Sequence, residues 1–438
     1  MSSIPSGAVA QPSVETAPSL RSVRVLVAGG SLRWFGFSFY AFFILLLFHS
    51  AFGLTYADAG LYIAAIALVT LPLGQVGGGF ADRFGRRRMI IASLAGEAFG
   101  LAILAWGITI GSLALSVGAL LLSRSFGDVG SAAVFAYVAD VTDVGIRARG
   151  LSWVRVGDNI GASGGVALAG ILLVYIAYGQ LTGLAALLVG AGAVVSALWL
   201  TPSMWDRALG RASVEGSTST SPQDRGGLRW LGQTVYASFQ PIWHDRTLLW
   251  LMVASTLIWI PVLQIFYSIS TFGLDFLGIP FGILGLAVAL NGLIPAVGQV
   301  PLTMALTGRR HTRVGIFGLA LYAASFVALG LDAVVRVEVI LIFVLAVIVS
   351  TIGENMIYLP VFTLPLNIAP ENSQGAYAAT IGTASGVGSV FAPILAGVAL
   401  TFAAHPIVTW GILAAPAVPS AAILWYLESR IPVGQNRI

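Results

Sequence analysis

Seven polar side chains interrupt stretches of sequence that are otherwise apolar. Arg124 and Asp128 stand four residues apart in "LLSRSFGDVG"; Arg155, Asp158 and Asn159 crowd into "VRVGDNIG"; Glu354 and Asn355 break "VIVSTIGENMIYLP". A charge at mid-bilayer costs at least about 2.5–3.5 kcal/mol, so each implies a partner or a water-filled path. A carboxylate in such a place can hold a proton or a cationic group in turn, and an arginine can hold an anion. That is transport chemistry rather than bond-making chemistry. The competing reading is structural: Arg124 neutralises Asp128, one helical turn away on the same face, and Glu354 hydrogen-bonds a neighbouring helix.

The elements that position these groups follow from composition. Of 438 residues 57% are hydrophobic and 9% charged, against about 25% charged in soluble domains. A hydrocarbon core of about 30 Å takes roughly 20 apolar residues per helix. Runs without Asp, Glu, Lys or Arg meet that length repeatedly: Phe35–Leu54, Ala59–Ala81, Asn159–Met204, Thr247–Leu274, Phe276–Gly308, Val314–Leu331 and Asn372–Leu427. The chain is expected to be an all-α polytopic membrane protein. It has no cysteine, which removes disulfides and thiolate metal sites. Its four histidines, His49, His244, His311 and His405, show no ligand spacing. No metal and no cofactor is expected. The arginines sit between spans rather than on one patch, which argues against a nucleic-acid partner.

Gly, Pro and charge breaks divide the chain into twelve expected transmembrane helices: 31–54, 59–81, 88–109, 112–138, 150–176 and 181–201, then 247–272, 280–306, 314–332, 338–367, 376–402 and 407–427. Residues 1–30 read as a disordered tail with no cleavable signal, 202–246 as a linker, and 428–438 as a second tail. Within the linker, "LRWLGQTVYASFQPIWHDR" reads as an amphipathic segment lying on the membrane surface. Arginine dominates the connections after the even-numbered helices, whereas the opposite side holds only Arg336. The positive-inside rule then places both termini in the cytoplasm, with the plasma membrane as the expected location.

Two halves repeat. "GQV" followed by "GRR" occurs at Gly74 and Gly85 and again at Gly298 and Gly308, offsets 224 and 223. Gly150, Gly157 and Gly161 recur as Gly375, Gly382 and Gly386 at offset 225, and Gly127–Asp128 recurs as Gly353–Glu354 at offset 226. A shared offset near half the length indicates two pseudo-symmetric six-helix bundles, 31–201 and 247–427, related by an axis along the membrane normal.

Between helices 2 and 3 lies "GGGFADRFGRRR", in which Gly78, Asp82, Arg83, Gly85, Arg86 and Arg87 form G-x-x-x-D-R-x-G-R-R. This resembles the signature loop of the major facilitator superfamily, its motif A. The resemblance implies that Asp82 latches onto the positive N-terminus of helix 11 and that Arg83 pairs with an acid ending helix 4, here Asp140. Gly78 would admit a neighbouring helix and Gly85 a tight turn. The second copy keeps Gly308, Arg309 and Arg310 but no acid, so one latch is expected, not two. On helix 5, Gly161, Gly165 and Gly170 resemble the glycine-rich motif of the superfamily's drug:proton antiporter branch. Val166 and Ala169 depart from it. Helix 11 mirrors it with Gly388, Pro393 and Gly397, small residues that let helices pack closely.

The resemblance also implies that helices 4 and 10 line a cavity from opposite halves. Asp128 would lie about 15 Å and Asp158 about 12 Å from the inner helix ends, near the midplane where transporter sites form. Tyr40, Trp259, Tyr267 and Tyr358 fall on cavity-lining helices 1, 7 and 10. Glu354, with no cation nearby in sequence, is the expected proton carrier. The function expected is alternating-access transport, with proton-coupled efflux of a small organic or drug-like molecule placed first. The alternative is proton-coupled import of a sugar, carboxylate or other nutrient bound by Arg124, and a non-transporting membrane sensor stands behind both. No nucleotide loop or nucleophile motif occurs, so neither an enzyme nor an ATP-driven pump is expected. The partners are a small-molecule substrate, protons and the lipid bilayer, with the chain acting as a monomer.

Overall fold

The computed structural model describes residues 20–142, 144–214, 245–370 and 373–438, and these are helical almost throughout. In lipid every backbone N–H and C=O must be satisfied within the segment, which for such apolar runs leaves the helix. Helix 1 runs Leu20–Ala41 and, after a 46° bend, Ile44–Phe52. Helices 2 to 6 are Tyr56–Phe84, Arg86–Thr109, Leu113–Val141, Val144–Leu172 and Tyr178–Trp199. Helix 7 starts at Arg246, loosens into a π-turn at Ile265–Ile269 just after Pro261, and ends at Asp275. Helices 8 to 11 are Phe281–Ala305, His311–Val335, Val339–Ile368 and Gln374–Leu400; helix 12 is Pro406–Ala414 and Ala417–Glu428. Among the described residues eleven of these pass as membrane spans on length and apolarity, counting bent helix 1 as one. Helix 5 is equally long but carries Arg147, Arg149, Arg155 and Asp158. Large apolar side chains such as Phe99, Trp106, Leu187 and Val300 are more than half exposed, the outer wall a bilayer covers.

Several boundaries differ from the sequence reading. Residues 20–30, expected in the tail, continue helix 1 inward, because "LRSVRVLVAGG" contains no breaker able to stop a helix in its first turns. Part of the expected linker, Met204–Val214, is a short helix. The expected surface-lying segment 228–246 falls almost wholly outside the described residues. Side-chain caps fix other starts: Thr55 Oγ1 accepts from the Asp58 N–H (3.1 Å) and Asp245 Oδ1 from Thr247 N–H (2.8 Å).

The halves touch chiefly through helix 2 with helix 11 and helix 5 with helix 8. A Cβ on Gly60 would meet the Pro393 carbonyl, and one on Gly170 would meet Phe281 and Gly285. Both contacts lie towards the arginine-poor face. Towards the arginine-rich face helix 2 keeps helix 4 of its own half, at Gly77 against Val129, but among the described residues nothing lies within 4 Å of a Cβ placed on Gly74 or Gly78. The halves therefore converge on one face and part on the other.

On the arginine-rich face each half braces its own loop. Gly85 and Gly308, at matching places in the repeat, both turn with positive φ (94° and 83°). In the first half Arg87 donates to the carbonyls of Leu200 and Ala197 (both 2.6 Å), and the Trp205 indole donates to the Asp82 carbonyl (2.8 Å). In the second half Arg310 and Arg313 both donate to Glu428 (2.7 and 2.8 Å). The expected tail is docked there as a short bridge: His311 N–H donates to the Asn436 carbonyl (2.7 Å), and buried Asn436 exchanges bonds with Thr312.

Candidate functional site

Glu354 sits mid-way along helix 10 and is only 6% exposed. One turn on, the Tyr358 hydroxyl donates to Glu354 Oε1, while Asn291 of helix 8 donates its amide to Oε2 at 2.7 Å and also to Thr351 Oγ1 at 3.2 Å. Tyr358 lies against Trp259 of helix 7, ring centres 5.6 Å apart, and the Trp259 indole N–H is buried without an acceptor. Pro261 and the π-turn rotate the following part of helix 7, which carries Tyr267 towards the other half. Asn355 is fully buried, with its amide oxygen unpartnered.

The opposing wall comes from the first half. Arg124 lies over the Phe37 ring at 5.8 Å and interacts electrostatically with Asp128, Tyr40 and, across the halves, Tyr267. Arg155 reaches across to the Phe362 ring of helix 10 at 5.1 Å. Asp158 lies beside Gly30 of helix 1 and feels both Arg33 and Arg155. Arg33, Trp34, Ser131, Arg155, Asp158 and Asn159 help line a cavity of about 510 Å³ inside this half.

The sequence pairings change in three places. Among the described residues neither Arg124–Asp128 nor Arg155–Asp158 closes to an ion pair. Instead Arg33 of helix 1 bonds Glu97 of helix 3, Nε to Oε2 at 2.5 Å, so Glu97 faces the interior of its own half. Asp140 is held by Arg86, not Arg83; Arg83 precedes the Gly85 turn and lies exposed over Phe84. Asp82 pairs with Arg86 at 3.2 Å within its own half rather than with helix 11, as the parting of the halves on that face requires.

The predicted packing glycines sit at helix crossings. A Cβ on Gly161, Gly165 or Gly397 would strike the backbone of Ser31, Phe35 or Tyr56, and one on Gly388 the Trp259 side chain. Sequence reasoning missed Arg33 and Asn291. Once helix 1 starts at Leu20, Arg33 lies about 20 Å along it, a buried-cation signal; Asn291, a lone amide in an apolar helix, left a weaker one. Among the described residues no three His, Asp or Glu side chains gather into a metal site. The geometry can hold a cationic group or proton at Glu354 and an anionic group at Arg124 or Arg155.

Comparison with known proteins agrees with this architecture. The chain resembles in fold a peptide transporter solved in complex with sulfate (TM-score 0.72, 16% identity, 95% of this chain and 96% of that one). It also resembles a POT family transporter in complex with 5-aminolevulinic acid (0.71, 14%, 94% and 97%). A third is a structure described for substrate recognition in proton dependent oligopeptide transporters (0.68, 16%, 94% and 100%). Identities this low speak to the fold alone. Residues 26–393 match the family Major Facilitator Superfamily, and with twelve spans in two braced halves around a polar midplane site, the chain is a membrane transporter belonging to that superfamily.

Proposed function

We propose that the chain is a proton-coupled secondary transporter of small zwitterionic molecules, working by alternating access. One observation carries this reading: the doubly hydrogen-bonded Glu354 on the second half stands opposite the arginines of the first, Arg124 and Arg155. An ammonium group at Glu354, near the unpartnered Asn355 oxygen, and an acid group at Arg124 would span that gap. Glu354 takes up the coupling proton when no cation occupies it. Zwitterions of this kind occur among the ligands of the structural relatives, 5-aminolevulinic acid included. The arginine-rich face is cytoplasmic, in a plasma membrane, and one chain is the working unit. In the opposite state the cytoplasmic side closes and Asp82 leaves Arg86 for the N-terminus of helix 11.

Import with a proton is the direction favoured by a fixed anion site. The second reading, proton-coupled efflux of an organic cation, is favoured by the glycine run of helix 5, whose members sit at close helix crossings. Proteoliposomes with an internal pH indicator separate the two. A dipeptide or amino acid that carries protons inward with wild type, and not with Glu354→Gln, supports the proposal. Proton release driven by cationic drugs and by no zwitterion would replace it with the efflux reading.

A further inference from the structure

We infer that Tyr56 and Asp275 form the latch that holds the arginine-poor face shut. Tyr56 opens helix 2 in the first half and Asp275 ends helix 7 in the second; the tyrosine hydroxyl donates to Asp275 Oδ2 at 2.6 Å. Each partner is held in place by its own half before they meet. The Tyr56 ring stacks on His49 (centroids 4.2 Å, interplanar angle 28°), and the His49 Nδ1 bonds the Leu54 carbonyl at 2.6 Å. On the other side Arg336, the one arginine that the sequence assigns to that face, donates to the Phe276 carbonyl at 3.1 Å and so anchors the residue next to Asp275. Two groups already ordered lose little further freedom on bonding, and a carboxylate acceptor strengthens the bond.

The contact lies where separation must begin. Beside it the Tyr56 carbonyl faces Gly397 and Gly60 faces Pro393, so helix 2 and helix 11 touch backbone to backbone with no side chain between them. Opening this face moves helix 2 away from helices 7 and 11, and every route to that state breaks the Tyr56–Asp275 bond. The latch is therefore the counterpart, on the opposite face, of the one expected at Asp82. The inference rests on the alternating-access reading alone and needs neither the proton nor the substrate assigned above.

The chain contains no cysteine, so a single introduced thiol reports without background. Ala169→Cys places it on helix 5, fully buried, next to Gly170 where that helix meets Phe281 of helix 8. Its rate of modification by a membrane-impermeant maleimide added to the arginine-poor side measures how often that face opens. Tyr56→Phe keeps the ring stack and removes only the hydroxyl; it should raise the rate about threefold to tenfold, the equivalent of one such bond. Asp275→Leu should raise it equally, the two together no further, and Asp275→Asn, which keeps an acceptor oxygen but not the charge, should fall between wild type and Asp275→Leu. Rates unchanged in both Tyr56→Phe and Asp275→Leu would overturn the latch. The labelling rate needs no transport, so a wrong substrate or coupling ion would leave it unaffected.

Discussion

Arg33 and Glu97 lie 64 residues apart in the chain and form a buried ion pair, with the carboxylate side chain 3% exposed and the arginine 21%. The pair joins helix 1 to helix 3, and Gly127 of helix 4 stands against it: a Cβ there would approach the Arg33 guanidinium to 2.8 Å. Three helices of the first half thus meet at a single charge pair, with Asp158 acting electrostatically on Arg33 from a fourth.

Removing Arg33 leaves Glu97 charged and buried without its partner, and removing Glu97 leaves Arg33 with only the electrostatic pull of Asp158. We expect Glu97→Gln or Arg33→Met to destabilise the folded protein by about 3–5 kcal/mol. The double substitution should cost much less, since no uncompensated charge remains. Thermal unfolding of the three variants in detergent checks this; equal losses in all three would show that the pair is not the source.

For Glu354 the expected change is functional. Glu354→Gln keeps the shape and an acceptor oxygen for one of the two donors, Asn291 or Tyr358, yet cannot cycle a proton. Uptake driven by a pH gradient should vanish while exchange of labelled for unlabelled substrate continues. If gradient-driven uptake survives, Glu354 is not the coupling group.

Two of the three motif arginines should behave differently. Arg86 bonds Asp140 as well as the Ala136 carbonyl at 2.7 Å, so Arg86→Ala is expected to cost about 1–3 kcal/mol through the partners it strands. Arg83 is exposed over Phe84, and Arg83→Ala should stay within about 0.5 kcal/mol of wild type. Melting temperatures in the same detergent distinguish them.

Asn436 is wholly buried and bonds both the backbone N–H and the hydroxyl of Thr312. Asn436→Ala should cost about 1–3 kcal/mol and raise amide hydrogen exchange at Gly308, His311 and Thr312. Exchange there unchanged from wild type would mean that the tail does not hold the loop.

Much of this was legible in the sequence, for definable reasons. Twelve spans and their repeat follow from long apolar runs and a constant offset, properties the bilayer enforces locally. The motif loop was legible because its turn needs glycine, and Gly85 does turn with positive φ. What failed was pairing. Arg83 and Arg86 look interchangeable as letters, but the turn at Gly85 separates them, leaving Arg83 on the surface of helix 2 and starting helix 3 at Arg86. Glu97 found its partner on a helix whose true start, Leu20, lies well before the expected one at residue 31. Asn291 carries no charge, so a lone amide in an apolar helix was only a weak mark of the group that would orient Glu354.

The braced loops have a mechanical consequence. In each half the turn between its second and third helices is tied to the segment that follows its sixth, through Arg87 and Trp205 in one and through Arg310, Arg313 and Asn436 in the other. Stiffened at that end, a half swings as a lever and does not fray as separate rods. In the proposed cycle its fulcrum would be the contact mid-way along helix 8, where Gly292 meets Ser163 of helix 5. On the proposed cycle, a few ångströms gained between Tyr56 and Asp275 would reappear as closure between Asp82 and helix 11, about 40 Å along helix 2, with little of the motion lost to bending.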